Sequence, residues 1–136
     1  MTPRQIVLVE ETMAAVPVDE LAEDFYRRAF ERDRAVAQMF RAEPEVQRAR
    51  FAAELAMIVR SIRAHDDFLA RATALGVRHR GYGVQSAHYR LMGEVLLEAL
   101  AATLGDRWNP EVEEAWEMAY NLVAETMMLG ADEAAG

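Results

Sequence analysis

The sequence predicts an all-α domain, and three observations lead to that prediction. The 136 residues include only 7 Gly and 4 Pro, so few residues interrupt helices. Apolar residues recur every three or four positions over most of the chain, which is the period of an α-helix buried on one side. No segment has the pattern of a β-strand. With 52% hydrophobic residues, a single domain spanning residues 1–136 can bury a core.

The first two helices are separated by a proline. Thr2 is the expected N-cap of the first helix, Pro3 is its first residue, and Gln5 has the spacing of a capping box. Pro17 ends this helix and begins the second. A short, less regular segment follows at residues 33–40. The apolar stripes of the two helices are Ile6, Val9 and Met13, and then Leu21, Phe25, Ala29 and Phe30.

Two further helices are predicted in the middle of the chain. Pro44 begins the first of them, and a polar connection at residues 65–67 leads to the second, predicted from Phe68 to about Arg80. Gly81 and Gly83 end it. The apolar stripe of the helix that begins at Pro44 is Phe51, Leu55, Ile58, Val59 and Ile62.

The last two helices have the strongest periodicity. The earlier one stops at Gly105, and Asn109-Pro110 supplies a cap and a first residue for the later one. The tail at residues 130–136 is expected to fray. Their apolar stripes are Tyr89, Met92, Leu96, Leu97, Leu100 and Leu104, and then Val112, Trp116, Tyr120, Val123 and Met127.

Missing residue types exclude several kinds of chemistry. The chain has no Cys, which excludes disulfides, cysteine–zinc sites, iron–sulfur clusters and cysteine nucleophiles. It has no Lys, so Schiff-base chemistry and the lysine-dependent phosphate loop are unavailable. The N-terminal segment carries acidic residues and does not resemble a signal peptide, and no apolar run has the length of a membrane span. We therefore expect a cytoplasmic protein without a membrane partner.

The charge is acidic overall but unevenly distributed. A net charge of −8 opposes non-specific binding to nucleic acid. Residues 41–90 hold nine Arg and five acidic residues, a net charge of +4, so the remainder carries −12. A positive middle segment can face an anionic ligand, although solvated helix faces and local ion pairs explain the same pattern. Periodicity and charge alone fit a four-helix bundle, a sensor domain or a globin equally well.

A family resemblance decides among these folds. Residues 75–105, LGVRHRGYGVQSAHYRLMGEVLLEALAATLG, resemble the proximal half of bacterial single-domain globins of the Vitreoscilla type and of the globin domain of flavohaemoglobins. Those families carry a histidine, a Gly-Val turn, a His-Tyr pair, a glycine and a Leu-Leu pair. Their counterparts here are His79, Gly83-Val84, His88-Tyr89, Gly93 and Leu96-Leu97. FYRRAF (25–30), Phe40, Gln47-Arg48 and AWEMAY (115–120) match in the same order, so the resemblance covers roughly residues 4–128.

The resemblance implies a globin fold, a three-over-three helical sandwich around haem b, with His79 as the iron ligand. Ferrous haem needs one neutral imidazole and keeps its sixth position open for a gas. Without the surrounding pattern, a lone helical histidine such as His79 is more often exposed or packed. His65 is expected to be exposed. His88 is expected to be a capping or surface residue, and it is the other candidate for an axial ligand.

The resemblance also implies roles for residues around the haem. Tyr26 and Gln47 match the distal pair that hydrogen-bonds the bound gas, and Tyr89 matches a tyrosine near the proximal histidine. The carboxylate that accompanies this tyrosine in the family falls near residues 131–133 and is not assigned. Arg48, Arg78 and Arg80 are candidates for the haem propionates. The expected apolar walls, each of which could equally be ordinary core, are Phe40, Phe51, Val84, Leu91 and Met92.

Three functions are compatible with this resemblance. The first is reversible binding of O2 and other diatomic gases such as CO and NO, for storage, delivery or scavenging. The second is nitric oxide dioxygenation with a separate reductase, because flavohaemoglobins carry their reductase after the globin and this chain ends at residue 136. The third is a gas-sensing module. Whether the protein is an enzyme, and whether it is a monomer or a homodimer, is left open.

Overall fold

The computed structural model describes residues 1–39 and 43–135, with side chains described as far as residue 133. Within these ranges the chain forms α-helices and one 3-10 turn, with no strand, which confirms the all-α prediction. The helices are α1 Pro3–Ala15, α2 Val18–Arg32, α3 Arg34–Ala37, α4 Pro44–Ser61, α5 His65–Gly81, α6 Ser86–Leu104 and α7 Pro110–Ala135, and the turn Gly105–Arg107 lies between α6 and α7. No described helix is long and apolar enough to cross a lipid bilayer.

The long helices form two layers. Helices α1, α4 and α5 make one layer, and α2, α6 and α7 make the other. The most extensive packing between layers joins α5 to α7, while α2 packs on α4 across the layers and on α6 within its own. This is the predicted three-over-three globin sandwich, and it leaves a space between α4, α5 and α6.

Three helices begin or end at the capping or terminating residues predicted from the sequence. Thr2 and Gln5 form the expected capping box at the start of α1, with the Gln5 amide N–H 3.1 Å from the Thr2 hydroxyl. Asn109 caps α7 by accepting the amide N–H of Val112 at 2.9 Å. Gly105 ends α6 with a φ of 57°, a conformation that side chains with a Cβ rarely adopt. These three boundaries are confirmed.

Helix α5 begins earlier than the sequence predicts. Residues 65–67 form its first turn instead of a connection, and the amide N–H of Phe68 bonds to the carbonyl of Ala64. Asp66 and Asp67 are favourable in a first turn because the helix dipole stabilises negative charge there. Asp67 also pairs with Arg71, one turn later. The polar residues that predict a connection therefore begin the helix.

Helix α7 continues to Ala135, through the segment predicted to fray. Gly130 and Ala131 are buried, because α7 crosses α5 closely at this point. A Cβ on Gly130 would lie 2.7 Å from Cγ2 of Thr73, and a Cβ on Gly76 would come still closer to the main chain of Met127. Tertiary packing therefore extends the helix past the last clearly periodic residue.

The core has two parts. The larger cluster joins α1, α2, α6 and α7 around fully buried residues that include Val9, Leu21 and Leu100. The smaller one lies beneath α5 and includes Phe68 and Leu75. Partly buried side chains such as Ile62 and Tyr120 pack against both clusters, and a cavity lies where the clusters meet.

Candidate functional site

A cavity of about 530 Å³ lies between α2, α4, α5, α6 and α7. This volume is within the usual range for sites that hold small molecules and cofactors. Most of its wall is apolar, from both core clusters. The polar side chains on the wall include Tyr26, Gln47, Arg50, Glu54, Arg78, His79 and His88.

His79 lies in the last turn of α5, which is rich in basic residues, and it lines the cavity. Its Nδ1 is 2.9 Å from the main-chain carbonyl oxygen of Leu75. A carbonyl oxygen only accepts hydrogen bonds, so Nδ1 carries the proton and Nε2 keeps its lone pair. Burial lowers the pKa of His79, although the Leu75 carbonyl and the charge of Glu54 act in the opposite direction. The result is a neutral imidazole with an available Nε2, the form that coordinates metals.

Tyr26 lies on α2, lines the cavity and is buried. Its hydroxyl donates to the main-chain carbonyl of Gln47 at 3.3 Å. Burial, with a smaller effect from the charge of Glu54, strongly raises the pKa of the Tyr26 phenol. The phenol therefore keeps its proton and acts as a hydrogen-bond donor at any physiological pH.

The first half of α4 brings two more predicted residues to the cavity. Gln47 is half-buried in the first turn of the helix, and Phe51 follows one turn later. The Phe51 ring stacks on Phe25 with centroids 4.4 Å apart and an interplanar angle of 12°. Phe40, predicted to pack on the haem, lies outside the described residues.

Tyr89 is buried beneath α5 and lines the cavity, together with Tyr120. The Tyr120 hydroxyl donates to the main-chain carbonyl of Tyr89 at 2.5 Å, which joins α7 to the start of α6. Gly93, one turn after Tyr89, allows this approach, because a Cβ there would lie 2.6 Å from Cε2 of Tyr120. Tyr89 thus shares the cavity wall with His79, and its proximal role stays a prediction.

The structure places no carboxylate from residues 131–133 on His79. Ala131 is buried, whereas Asp132 and Glu133 are exposed. The guanidinium of Arg80 donates to the Ala131 carbonyl at 3.2 Å and lies 3.9 Å from the carboxylate of Asp132. The Nδ1 proton of His79 is directed at Leu75 instead.

The arginines on the cavity wall differ from those predicted from the sequence. Of the three predicted arginines only Arg78 lines the cavity, where it pairs with Glu54 at 3.6 Å. Arg80 instead turns towards α7, and Arg48 is not among the residues that line the cavity. Arg50 and Glu54 were missed, although they follow Gln47 at helical spacings of three and seven residues. That spacing was the signal that could have found them.

The sequence predicts three apolar wall residues in α6 or just before it, and two of them line the cavity. Val84 and Met92 line it, and Leu91 does not. Tyr89, Met92 and Leu96 share one face of α6, because they are three and seven residues apart, and this face meets the cavity. Leu91 lies on a neighbouring face and packs against the larger core cluster. The assignment of Leu91 to the cofactor wall therefore stays a prediction that the cavity lining does not support.

The other two histidines differ from each other. His65 is exposed at the start of α5, as expected. His88 caps α6, since its Nδ1 accepts the amide N–H of Gln85 at 2.8 Å. His88 also lines the cavity, which neither a capping role nor a surface position predicts.

Comparisons with known proteins agree with this architecture. The Globin family model matches residues 23–127. The flavohemoprotein of Deinococcus radiodurans is 31% identical over 94% of this chain and 33% of its own length, and that of Bacillus subtilis is 26% identical over 88% and 32%. The chain thus spans about a third of the length of these relatives.

Solved structures show the same fold. A bacterial globin from Campylobacter jejuni superposes with a TM-score of 0.87 at 22% identity, covering 98% of this chain and 99% of that one. An engineered carbene transferase made from a candidate nitric oxide dioxygenase of Rhodothermus marinus gives a TM-score of 0.89 at 25% identity, covering 99% and 96%. With the family model matching most of the sequence, the chain belongs to the globin family.

Proposed function

We propose that this chain binds haem b and reversibly binds O2 and other diatomic gases, with Nε2 of His79 as the protein ligand of the iron. The observation that carries the proposal is the hydrogen bond between Nδ1 of His79 and the Leu75 carbonyl, at the wall of an apolar cavity. It leaves one neutral imidazole nitrogen available in a space of cofactor size.

The rest of the cavity wall also fits a haem group. Apolar side chains such as Phe51, Val84 and Met92 suit a porphyrin ring, and the guanidinium groups of Arg50 and Arg78 suit its two carboxylates. The chain has no Cys, so a haem joined through thioether bonds is excluded, and haem b is the non-covalently held haem that we propose. When bound, haem supplies an iron with an open coordination position for a gas.

Tyr26 and Gln47 supply the polar contacts for the gas. The Tyr26 phenol stays protonated because of its raised pKa, so it can donate. The Gln47 carbonyl that it contacts is a main-chain atom at the moderate distance of 3.3 Å, so this bond is a weak competitor for a ligand in the cavity. The Gln47 amide is a second donor on the same wall. One hydrogen bond to the gas slows its release about tenfold.

Absorption spectroscopy of the haem-loaded protein tests the proposal. The wild type should show a Soret band and a five-coordinate ferrous form that shifts on adding O2 or CO. His79→Ala should lose that ferrous spectrum, and added imidazole should restore it by replacing the missing ring. His65→Ala is the matched control, because His65 is an exposed histidine at the other end of α5. A normal spectrum in His79→Ala without imidazole would contradict the assignment.

A second candidate role is nitric oxide dioxygenation. It is favoured by the phenol and amide donors on one wall, which suit tight retention of O2, and by likeness to flavohemoproteins. The overall reaction joins NO, O2 and one electron into nitrate. The electron would come from a reductase. Mixing the oxygenated protein with one equivalent of NO should then yield one nitrate per protein, and loss of NO without nitrate would exclude this role.

A further inference from the structure

Two histidines line the same cavity, and their hydrogen bonds hold them in opposite tautomers. Nδ1 of His79 meets a carbonyl oxygen and must be protonated. Nδ1 of His88 instead lies 2.8 Å from the amide nitrogen of Gln85, which only donates. Nδ1 of His88 therefore carries the lone pair, and the proton of its neutral ring is on Nε2. The cavity thus has one imidazole nitrogen free to coordinate and one imidazole N–H free to donate.

The tautomer of His88 rules against a role as iron ligand. Coordination of iron through Nε2 would require the proton to leave that atom. In a neutral ring the proton would then be on Nδ1, and Nδ1 could no longer accept the hydrogen bond that caps α6. The capping bond also fixes the orientation of the ring, because His88 lies in the first turn of α6. Within the described part of the chain, Nε2 of His88 has no hydrogen-bond partner.

The chemistry of a porphyrin limits what this N–H can meet. The periphery of protoporphyrin is hydrocarbon apart from its two carboxylates, so a donor on the cavity wall finds an acceptor there only in a carboxylate. The same cavity also has Arg50 and Arg78 on its wall, which makes that wall suitable for anions. Resting on the proposed haem binding, we propose that His88 is an anchoring residue whose Nε2–H donates a hydrogen bond to a carboxylate of the bound porphyrin.

A capping role alone does not account for these features. A capping box needs only an acceptor at the third helical position, which Glu or Gln usually supplies. His88 is half-buried against the cavity and offers a second nitrogen beyond the one that caps the helix. The two roles can be separated, because different side chains keep one of them or both.

The experiment compares His88→Glu with His88→Gln. Glu keeps the acceptor of the capping box but has no N–H, whereas Gln keeps an acceptor and offers an amide N–H. Each protein is loaded with iron protoporphyrin IX, and the rate of haem transfer to an excess of an apo-globin acceptor is followed at the Soret band. We expect His88→Glu to lose haem at least about tenfold faster than wild type, and His88→Gln to stay within about threefold.

The dimethyl ester of iron protoporphyrin IX provides the decisive comparison, because its carboxylates are blocked. Wild type and His88→Glu should lose the ester at similar rates. Thermal unfolding of the haem-free proteins tests whether the N-terminal cap of α6 is kept. The melting temperature of His88→Glu should equal that of wild type. Equal transfer rates for all three proteins with the free acid, or the same acceleration with the ester, would overturn the proposal.

The outcomes separate this proposal from the proposed function. If the wild type takes up no haem, haem binding itself fails. If the wild type shows the His79-dependent spectrum and His88→Glu retains haem as well as wild type, only the role of His88 fails. His79→Ala should accelerate the loss of the free acid and of the ester alike, because an axial bond does not depend on the carboxylates.

Discussion

The hydroxyl of Tyr26 on α2 donates a hydrogen bond to the main-chain carbonyl of Gln47 on α4, at 3.3 Å. This contact joins helices from the two layers where both line the cavity. The resemblance to bacterial globins pairs the same two residues as gas-binding donors. The structure shows their contact, and their action on a bound gas is a prediction.

Replacing Tyr26 by Phe should speed the release of O2 from the haem-loaded protein by roughly tenfold, because the gas loses one hydrogen bond of about 1–1.5 kcal/mol. Stopped-flow displacement of O2 by CO measures the rate. Tyr82→Phe is the control, since Tyr82 lines the cavity but is largely exposed next to His79. An unchanged rate in Tyr26→Phe would contradict the distal assignment of Tyr26.

Thr12→Val should destabilise the haem-free protein by about 1–3 kcal/mol, because it leaves a buried donor without a partner. The indole N–H of Trp116 donates to the Thr12 hydroxyl at 2.8 Å, and both residues are buried. Urea unfolding followed by circular dichroism measures the change. Thr103→Val should cost less, because the hydroxyl of half-buried Thr103 bonds to the carbonyls of Ala99 and Leu100 in its own helix. Equal losses in the two variants would mean that the link from Thr12 to Trp116 adds nothing.

Gly76→Ala should destabilise the fold by at least about 1–3 kcal/mol, because it forces apart a close crossing of two helices. A Cβ at this position would overlap the main chain of Met127 on α7, whose Cα and carbonyl carbon lie 2.6 Å away. Backbone cannot move aside as a flexible side chain can. Gly81→Ala, at the end of the same helix, meets nothing within 4 Å and should be neutral or slightly stabilising. Thermal unfolding measures the stability of both variants, and similar melting temperatures would show that the two helices do not cross as closely as these distances indicate.

Glu10→Gln should lower the melting temperature at pH 7 by about 1–3 °C, a small effect because the pair is at the surface. Arg63 donates to both carboxylate oxygens of Glu10, at 2.9 and 2.7 Å, and this bonding lowers the pKa of Glu10. A lowered pKa in the folded state stabilises the protein above the ordinary carboxyl pKa, and this stabilisation is lost as the pH falls through the lowered value.

The difference between wild type and Glu10→Gln should therefore shrink below about pH 4. Glu11→Gln is the control, because Glu11 is an exposed neighbour that makes no ion pair in the described part of the chain. A difference that persists unchanged at low pH would show that the effect of Glu10→Gln does not come from the charge of the carboxylate.

Most of the fold could be predicted from the sequence, because capping residues and helical periodicity act over short distances. Thr2, Asn109 and Gly105 mark helix ends that the structure confirms. Two helix ends differ from the prediction, namely the start of α5 and the end of α7. One depends on residues whose type is ambiguous and the other on long-range packing. Polar residues 65–67 are equally compatible with a loop and a first turn, and α7 extends because residues from α5 cover its last turns.

The site was predicted less completely, because helical spacing identifies a face but not what that face meets. Leu91 and Met92 are adjacent in sequence, and only Met92 reaches the cavity. Arg50 and Glu54 are on the wall although no motif singles them out. Which arginines approach the cavity depends on the rotation of α4 and α5 about their own axes, which neighbouring helices set.

By itself, the sequence determined the helices, their order, the family and the histidine on the cavity side of α5. These follow from local preferences and from a pattern of residue types that can be read along the chain. Only the tertiary structure decided the tautomers of His79 and His88, the contact of Tyr26 with Gln47 and the composition of the cavity wall. Each of these depends on the distance between specific atoms, and such distances exist only once the helices have packed.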